Sequence, residues 1–379
     1  MTQTAFTCIP FSIGLNIINM NIGFYNFYRQ LNKNRMFVDS SVGIGDDLGY
    51  VGVYMAKYLQ ELGHTVATID TAPLDTFDAV IFLDYPTKLN SYFRSLIKRG
   101  DKPLYLVLLE SPAVRPDNWN RANHAHFQKV FTWSPGLADG KKYIRFHMPH
   151  KLPEFAPYAP SRAEKFCCLI ASQKYSWVRQ ELYTERLRAI RWFEGRHPDE
   201  FDLYGQRWDR FYFKKRLSII NPVLARVYKM WPWLPRRRLF PSARGSVTRK
   251  RDIMSQYRFS ICYENASYPG WLTEKMLDAM FAGSVPIYQG DPEVAKLVPT
   301  AAFIDKRNFG DYDSLYAYLK GMSPMEYEGR RQAIHQFVHG DLIKPLGAEA
   351  FTETLMQEVF AGVRGPMSPN HFPLPDLPR

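Results

Sequence analysis

The 379-residue sequence lacks any apolar run of about 18 residues, so it predicts no membrane-spanning helix. Its four cysteines, Cys8, Cys167, Cys168 and Cys262, have neither zinc-site nor disulfide-framework spacing, which favours buried free thiols in a reducing compartment. Residues 4–24 lack the basic lead and cleavage site of a signal peptide. There is no dinucleotide fingerprint, no P-loop and no metal-binding acidic pair at a strand end. These absences favour a cytoplasmic protein whose chemistry needs no metal.

Positive charge is concentrated in one part of the chain. The formal net charge is +12, and residues 207–251 contain 14 Lys and Arg against one acid, Asp209. Large apolar residues are interleaved with these cations, which is typical of a segment that lies on an anionic membrane. A surface loop with aromatic side chains tucked under the domain is the alternative. Nucleic acid would suit the charge, but no recognition motif supports it, and we expect no such partner.

Apolar strands alternate with helical patterns on both sides of residues 148–162, a stretch with four prolines. This alternation predicts two parallel sheets covered by helices on both faces. We expect one α/β domain over residues 1–150 and a second over 151–362, into which the basic segment 207–251 is inserted. Residues 363–379 are rich in proline and predict a mobile tail.

Residues 258–290 are the most informative part of the sequence, and they predict a strand, a loop, a helix and a second strand. Thr273 opens the helix and Gly283 ends it. Lys275 lies in the first helical turn, where a cation opposes the helix dipole unless an anion such as phosphate is also bound. The alternative is an ordinary capped helix, with Glu274 stabilising its amino end and Lys275 in solvent.

The same residues closely resemble the donor-binding signature of family 10 glycosyltransferases, the α-1,3-fucosyltransferases. The shared elements are a strand ending in Glu264-Asn265, the Thr-Glu-Lys helix start, and the run from Ala282 to Pro292. Fainter similarity extends over most of residues 20–360. The resemblance implies the GT-B fold, in which an amino-terminal acceptor domain and a carboxyl-terminal donor domain face each other across a cleft.

The resemblance also implies an activity. It is the inverting transfer of L-fucose from GDP-β-L-fucose to a glycan hydroxyl, with an α-1,3 linkage and no cofactor. We expect the acceptor to be a surface polysaccharide or lipopolysaccharide glycan, and the enzyme to act in the cytoplasm or at the inner face of the membrane. Transfer of another GDP-linked 6-deoxy sugar, or binding of nucleotide sugars or glycans without catalysis, remains an alternative.

The resemblance assigns charged residues to the donor. Glu274 matches the family residue that binds the ribose hydroxyls, and Lys275 is expected to hold the diphosphate. Arg179 ends a segment, residues 171–179, that resembles the family's phosphate-binding element. On sequence alone, Arg179 would be a surface residue of a helix predicted over residues 177–192.

Several uncharged positions complete the predicted donor site. Asn265 and Thr273 belong to the signature, with Asn265 shaping the loop and contacting the donor sugar. Tyr204-Gly205 resembles the family's Tyr-Gly element near the nucleoside base, although Gly205 could simply end a strand. Trp271 stands where the family commonly has tyrosine, and it replaces the hydroxyl with an N–H donor. This departure leaves the exact donor sugar open.

Glu110 is the candidate general base. It follows an apolar strand, and Ser111-Pro112 ends the strand there. The segment from Glu110 to Trp119 resembles bacterial members of the family, in which this glutamate faces the cleft and removes the acceptor proton. Partial burial would suit a base that works near neutral pH. A helix cap or a salt bridge to Arg115 is the alternative.

Weaker candidates are assigned to the acceptor side. Asp46 and Asp47 lie in a glycine-containing loop that matches no nucleotide motif, so we predict an acceptor-side role for them. His124 and His126 could flank the acceptor, although isolated histidines are usually structural.

Overall fold

The computed structural model describes residues 19–40, 46–47, 49–209, 220–231 and 239–364. Cys8, most of the amino-terminal stretch 4–24, and residues 365–379 of the predicted tail lie outside the described residues. So do residues 210–219 and 232–238 of the basic segment. The three described cysteines, Cys167, Cys168 and Cys262, are buried free thiols, as predicted.

The first half of the chain forms a six-stranded parallel sheet in the order β2-β1-β3-β4-β5-β6. Its inner strands are continuous apolar runs because helices cover both faces. The strands are β1 Asn21–Asn26, β2 Thr65–Thr68, β3 Ala79–Leu83, β4 Leu104–Leu108, β5 Lys129–Thr132 and β6 Tyr143–Arg145. Three helices accompany them: α1 Arg35–Val38, α2 Tyr50–Glu61 and α3 Ser91–Arg99.

The second half forms another six-stranded parallel sheet, in the order β12-β11-β10-β7-β8-β9. Its strands are β7 Lys165–Ile170, β8 Phe201–Tyr204, β9 Ala243–Gly245, β10 Tyr257–Tyr263, β11 Val285–Gln289 and β12 Ile304–Asp305. The helices here are α4 Tyr183–Arg196, α5 Asn221–Met230, α6 Lys250–Met254, α7 Glu274–Phe281, α8 Tyr312–Gly321, α9 Pro324–Val338 and α10 Ala348–Arg364.

The last helix returns to the first sheet. Phe351, Leu355 and Val359 of α10 belong to the apolar cluster on one face of the amino-terminal sheet, and Trp271 belongs to it as well. The chain therefore crosses between the two halves twice, at the linker and before α10. The predicted division between residues 150 and 151 stays a prediction.

Strand order determines where each sheet can bind a ligand. In the first sheet the connections reverse direction at β1 and β3, and in the second at β7 and β10. Open parallel sheets bind ligands at the carboxyl ends of the strands on either side of such a reversal. The loops after β1, β3, β7 and β10 are therefore the places to look for function.

One predicted helix was wrong at its start. The pattern over residues 177–192 predicted a helix, but α4 begins at Tyr183. Before α4, Glu181 pairs with Ala266 in an isolated bridge, and the Leu182 amide donates to the carbonyl of Asn265 at 3.0 Å. These bonds reach residues 264–273, between β10 and α7, which we call the signature loop. They hold the residues before α4 in an extended loop.

Among the helices of the described residues, we find none with the length and apolar character of a membrane span.

Candidate active site

Glu110 lies two residues after the end of β4, at the ligand-binding edge of the first sheet. Its Oε1 accepts a hydrogen bond of 3.0 Å from the hydroxyl of Tyr28, which follows β1. Its carbonyl accepts from the indole N–H of Trp119 at 3.0 Å. Within the described part of the chain, no hydrogen bond reaches Oε2. The carboxylate thus has one oxygen held and one available.

Asp84, which the sequence reasoning did not select as a candidate, holds the backbone around Glu110. It follows β3 and is buried, and its Oδ1 accepts from the amides of Leu109 at 2.8 Å and Glu110 at 3.1 Å. The side chain of Asn118 donates to the same oxygen at 2.5 Å. Burial, and secondarily the Glu110 carboxylate, raises the pKa of Asp84 to about 6. Asp84 also has φ +63°, a strained conformation that proteins keep mainly at functional sites.

Arg115 does not neutralise Glu110. Its guanidinium donates to both oxygens of Asp117, at 3.0 and 2.8 Å, and to the carbonyl of Tyr85 at 2.6 Å. The alternative of a Glu110–Arg115 salt bridge is therefore excluded. The Glu110 carboxylate keeps its capacity to accept a proton.

The signature loop forms an ionic network at the start of α7. Glu264, fully buried, accepts hydrogen bonds from the Thr273 amide at 2.8 Å and the Thr273 hydroxyl at 2.6 Å. The Lys275 ammonium contacts Glu264 at 3.1 Å, Glu274 at 3.2 Å and the Thr273 hydroxyl at 2.8 Å. Burial opposes the charge on Lys275, but Glu264 and Glu274 outweigh it and raise its pKa. Lys275 is thus a permanent cation at a helix amino end.

Lys250, at the start of α6, is a second cation in this network. Its ammonium contacts Asp278 at 3.0 Å and Glu274 at 3.7 Å. Burial alone would raise the pKa of Glu274, but Lys275 and Lys250 hold it well below its usual range. Glu274 therefore stays ionised and presents a carboxylate, as hydrogen bonding to ribose hydroxyls requires.

Arg186 of α4 lies beneath this network and was missed by sequence reasoning. It is buried, and it donates to the carbonyl of Tyr263 through Nε at 3.1 Å and Nη2 at 2.6 Å. A cavity of about 10 Å³ separates it from Lys250, Lys275 and Asp278. That volume holds about one water molecule, so this cavity is too small to hold a nucleotide.

Arg179 lies in the loop between β7 and α4. Arg179 is exposed, and its guanidinium makes no hydrogen bond or ion pair within the described residues. Lys174 of the same loop is within electrostatic range of both Glu110 and Lys275. Unlike Lys275, Arg179 and Lys174 form no ion pair with the described residues.

Two hydrogen bonds join the halves of the molecule next to Glu110. The Ser111 hydroxyl donates to the side-chain oxygen of Asn265 at 3.2 Å, and the Ser176 hydroxyl donates to the carbonyl of Ala113 at 2.9 Å. The first bond links the residue after Glu110 to the signature loop. The structure therefore places the candidate base and the candidate phosphate-binding loops on facing edges of one cleft.

Tyr204 and Gly205 end β8 beside the β7 loop. The Tyr204 hydroxyl lies 2.9 Å from that of Tyr257, so it is occupied inside the domain. Gly205 has φ +126°, and a Cβ there would collide with the carbonyl of Ala171. The glycine therefore does more than end a strand, since it permits the close approach of the β7 loop.

Trp271 differs from its predicted role as a donor contact. It is 2% exposed, its ring centroid is 4.6 Å from that of Trp133, and its N–H donates to Asn265 at 2.8 Å. The ring thus packs against the first half of the molecule, while the N–H bonds within the second half. The indole orients Asn265 and cannot stack on a donor sugar without leaving this packing.

The four weak acceptor candidates do not gather around Glu110. Asp46 accepts from the amides of Lys250 and Arg251 at 3.0 and 2.9 Å, and Asp47 contacts the Arg251 guanidinium at 3.0 Å. Asp46 caps α6 from the other domain because the first amides of a helix lack helical partners, whereas Asp47 forms an ion pair with Arg251. Asp46 and Asp47 therefore link the two domains, and their contact with the acceptor stays a prediction.

The two histidine candidates differ in burial and in their contacts. His124 is 1% exposed and its ring nitrogens contact the carbonyl of Asn118 at 2.8 Å and the hydroxyl of Tyr143 at 3.3 Å. Burial lowers the pKa of His124. His126 is exposed and packs its ring edge towards Phe93. His124 therefore supports the loop, as the structural alternative held.

His150, near the end of the first half, was also missed. Its Nε2 is buried without a hydrogen-bond partner, and its charged neighbours are Glu274, Arg251, Lys250 and Lys275. Burial lowers the pKa of His150 to about 4, so the ring is neutral at physiological pH. Among the described residues, no group of three or more His, Cys, Asp and Glu side chains could hold a metal ion, and metal independence stays a prediction.

Comparison with known proteins agrees with this geometry. Residues 238–329 match the family described as glycosyltransferase family 10 (fucosyltransferase), C-terminal. The α-(1,3)-fucosyltransferase FucT of Helicobacter pylori is 39% identical over 75 residues, which is 20% of this chain and 16% of that protein. An α-(1,4)-fucosyltransferase of Arabidopsis thaliana is 41% identical over 76 residues, 20% of this chain and 19% of that protein. The chain thus matches less than a fifth of the length of these relatives.

A solved structure of an α1,3-fucosyltransferase with GDP aligns with a TM-score of 0.52 and 14% identity, over 93% of this chain and 94% of that one. Two facing Rossmann-like domains of this kind define the GT-B fold. Within this fold, residues 238–329 are similar to the carboxyl-terminal domain of glycosyltransferase family 10.

Proposed function

We propose that this protein is an inverting fucosyltransferase, which moves L-fucose from GDP-β-L-fucose to a glycan hydroxyl with Glu110 as the general base. One observation carries the proposal. The Glu110 carboxylate, free of any salt bridge, is linked through Ser111 and Asn265 to the loop that holds Lys275. A base and a site for the leaving diphosphate thus face each other across one cleft, as a single displacement requires.

In the proposed reaction, the acceptor hydroxyl donates its hydrogen to Glu110 and its oxygen attacks C1 of fucose. The proton passes to Glu110, while the bond between C1 and the β-phosphate oxygen breaks and GDP leaves with the electron pair. Attack opposite the leaving group converts the β-linked donor into an α-linked product. We expect the 1,3 linkage that the name of the Helicobacter pylori relative carries.

Charge on the departing GDP is the main change in the transition state. Lys275 and the unpaired Arg179 would stabilise it, since cations placed where charge develops accelerate the reaction more than they strengthen substrate binding. Glu274 would accept hydrogen bonds from the ribose. Asn265, oriented by Trp271, and Thr273 would shape the loop, while Tyr204 and Gly205 would border the nucleoside.

Calorimetric titration with GDP, GDP-fucose and GDP-mannose tests this proposal. The wild-type protein should bind GDP, and preference for GDP-fucose over GDP-mannose would establish the donor class. Lys275→Ala should weaken GDP binding by about tenfold to a hundredfold, since it removes a charge-assisted contact. Lys296→Ala is the matched control, because Lys296 is exposed and pairs only with Glu293. Failure of all three nucleotides to bind the wild-type protein would overturn the function.

The basic segment supports peripheral attachment to an anionic membrane. Helix α5 exposes Val223, Met230 and the adjoining Trp231 at 57%, 64% and 41%, beside the exposed cations Arg226 and Lys229. Apolar and cationic side chains together suit a lipid surface, and each cation near it contributes about 1 kcal/mol. Such attachment would suit an acceptor carried on a lipid, as in lipopolysaccharide or O-antigen assembly.

Sedimentation with liposomes tests the membrane contact. The protein should pellet with anionic vesicles at low salt and remain in the supernatant with zwitterionic ones. A Val223→Asp, Trp231→Asp double variant should lose the binding. Equal recovery of wild-type protein in the supernatant with both vesicle types would contradict it.

A further inference from the structure

Two exposed aromatic side chains follow β1, at the point where the strand order of the first sheet reverses. Phe27 is 51% exposed and Tyr28 is 38% exposed, and their rings are 5.9 Å apart in an edge-to-face arrangement. Neither belongs to the apolar clusters that cover the two faces of this sheet. Their apolar surface is therefore available to a ligand at the ligand-binding edge.

Both rings are held in place by residues around the candidate base. The Tyr28 hydroxyl donates to Oε1 of Glu110 at 3.0 Å, across 82 residues of sequence. The guanidinium carbon of Arg115 lies 4.5 Å from the centre of the Phe27 ring and covers one of its faces, while Asp117 fixes the guanidinium. These contacts restrain the aromatic side chains before any ligand arrives, which reduces the entropy lost on binding.

The position of Phe27 and Tyr28 beside Glu110 points to acceptor binding more strongly than their exposure alone would. An acceptor hydroxyl must come within about 3 Å of the Glu110 oxygen that takes its proton. Oε1 already accepts a hydrogen bond from Tyr28, whereas Oε2 accepts none among the described residues, so Oε2 is the more available oxygen for the acceptor hydroxyl. The sugar ring that carries this hydroxyl would then lie against the side chains beside Glu110. Ligand sites commonly combine aromatic walls with a few polar groups that fix orientation.

We propose that Phe27 and Tyr28 form a stacking platform for a pyranose ring of the acceptor glycan, and that the Tyr28 hydroxyl holds Oε1 of Glu110 so that Oε2 receives the acceptor hydroxyl. The inference rests on the proposed function, because it uses Glu110 as the base. It identifies the acceptor as a sugar with an apolar C–H face, which an aromatic ring can cover. Tyr28 would have two separable roles, one through its ring and one through its hydroxyl.

Saturation-transfer NMR with methyl β-D-galactopyranoside and with N-acetylglucosamine tests the platform. Saturating the protein should transfer magnetisation to the C–H protons of at least one of these two sugars. Phe27→Ala and Tyr28→Ala should each weaken the binding about tenfold, as expected for loss of an aromatic contact. Phe155→Ala is the matched control, because Phe155 is exposed on the linker and packs against His339.

A third variant separates the two roles of Tyr28. Tyr28→Phe keeps the ring, so sugar binding should remain within about twofold, but it should slow the hydrolysis of GDP-fucose, in which water replaces the acceptor and Glu110 still removes the proton. Unchanged sugar binding in Phe27→Ala and Tyr28→Ala, or no saturation transfer to either sugar with wild-type protein, would overturn the platform. GDP titration of the same samples distinguishes the outcomes, because a failed platform leaves GDP binding intact, whereas loss of GDP binding by the wild-type protein would overturn the proposed function.

Discussion

The ligand-binding edges of the two sheets differ in whether their candidate charged side chains are already paired with opposite charges. At the edge of the second sheet, Lys275 and Lys250 are each paired with acids before any ligand arrives. At the edge of the first sheet, the Glu110 carboxylate accepts a hydrogen bond from the Tyr28 hydroxyl and has no ion pair among the described residues, while the nearby Arg115 pairs with Asp117. A base must remain free to take a proton, whereas cations for a diphosphate can be held ready by acids that exchange partners when it binds.

Replacing the free carboxylate should give the largest effect and separate the two edges. Glu110→Gln keeps the shape of the side chain but cannot accept a proton, so transfer should slow by about 10²- to 10⁴-fold. GDP affinity should stay within about twofold, because the proposed GDP site lies at the second sheet. Rates of GDP release and calorimetry measure the two properties.

Glu154→Gln, on the exposed linker, is the control for this substitution. Glu110→Gln with wild-type turnover would show that the first edge does not supply the base. Loss of GDP binding in Glu110→Gln would show that the two edges are not separable.

Asp84→Asn tests the edge of the first sheet further, because it should lower transfer activity and raise stability. Ionised Asp84 is disfavoured by burial, and its folded pKa of about 6 exceeds the ordinary value of 3.8. The native state therefore binds more protons than the unfolded state between these values, and stability falls as pH rises through this window. Asparagine avoids this loss, so at pH 7 the variant should gain about 1–3 kcal/mol of unfolding free energy.

The same substitution should slow transfer about tenfold, since a weaker acceptor then orients the backbone of Glu110. Urea unfolding at pH 7 and pH 3.5 measures the stability difference, which should disappear at the lower pH. A variant that is less stable than the wild type at pH 7 would contradict the burial argument.

His150 should make the second edge sensitive to acid. Its folded pKa of about 4 lies below the ordinary value of 6.5, so the unfolded state binds more protons between these values. Stability conferred by the neutral ring is present above pH 6.5 and is lost as pH falls towards 4, by about 1–3 kcal/mol. His150→Gln should flatten the dependence of unfolding free energy on pH in this window.

His126→Gln is the control, because His126 is exposed. Its pH dependence should match that of the wild type. If His150→Gln and the wild type give parallel curves between pH 6.5 and 4, His150 is not the group that titrates.

Removing the contacts by which Asp46 and Asp47 link the first half to α6 should give the smallest effect. Asp46→Ala removes the carboxylate that caps α6 from the other domain, which should cost about 1 kcal/mol of unfolding free energy. Asp47→Ala, which removes one partly exposed ion pair with Arg251, should cost less. Thermal unfolding of both variants measures this order, and an equal or reversed cost would show that capping is not the dominant contribution.

Sequence reasoning succeeded where the contacts are local. The strand from Tyr257, the helix start at Thr273 and the end of α7 before Gly283 all follow from apolar runs, capping and glycine within about 30 residues. The same reasoning failed for residues 177–182, whose periodic pattern was overridden by bonds to Asn265 and Ala266 of the signature loop.

The residues that surround the candidate site were harder to predict from the sequence than the motif residues that form it. Tyr28, Asp84 and Arg186 carry no motif, and each reaches the site through a contact with a distant segment. Trp271 stood in a recognisable position, but its burial against Trp133 depends on how the two halves meet. A signal did exist for Asp84, since it is a lone acid after a fully apolar strand.

The sequence by itself determined the alternation of strands and helices, the family signature, and the position of Glu110 at the end of β4, because these depend on residues close together in the chain. Only the tertiary structure decided which oxygen of Glu110 is free, which acids hold Lys275, and that Asp46 and Asp47 join the domains. The reason is physical: hydrogen bonds and ion pairs depend on distances of about 3 Å between segments far apart in sequence, and strand order and domain packing determine those distances.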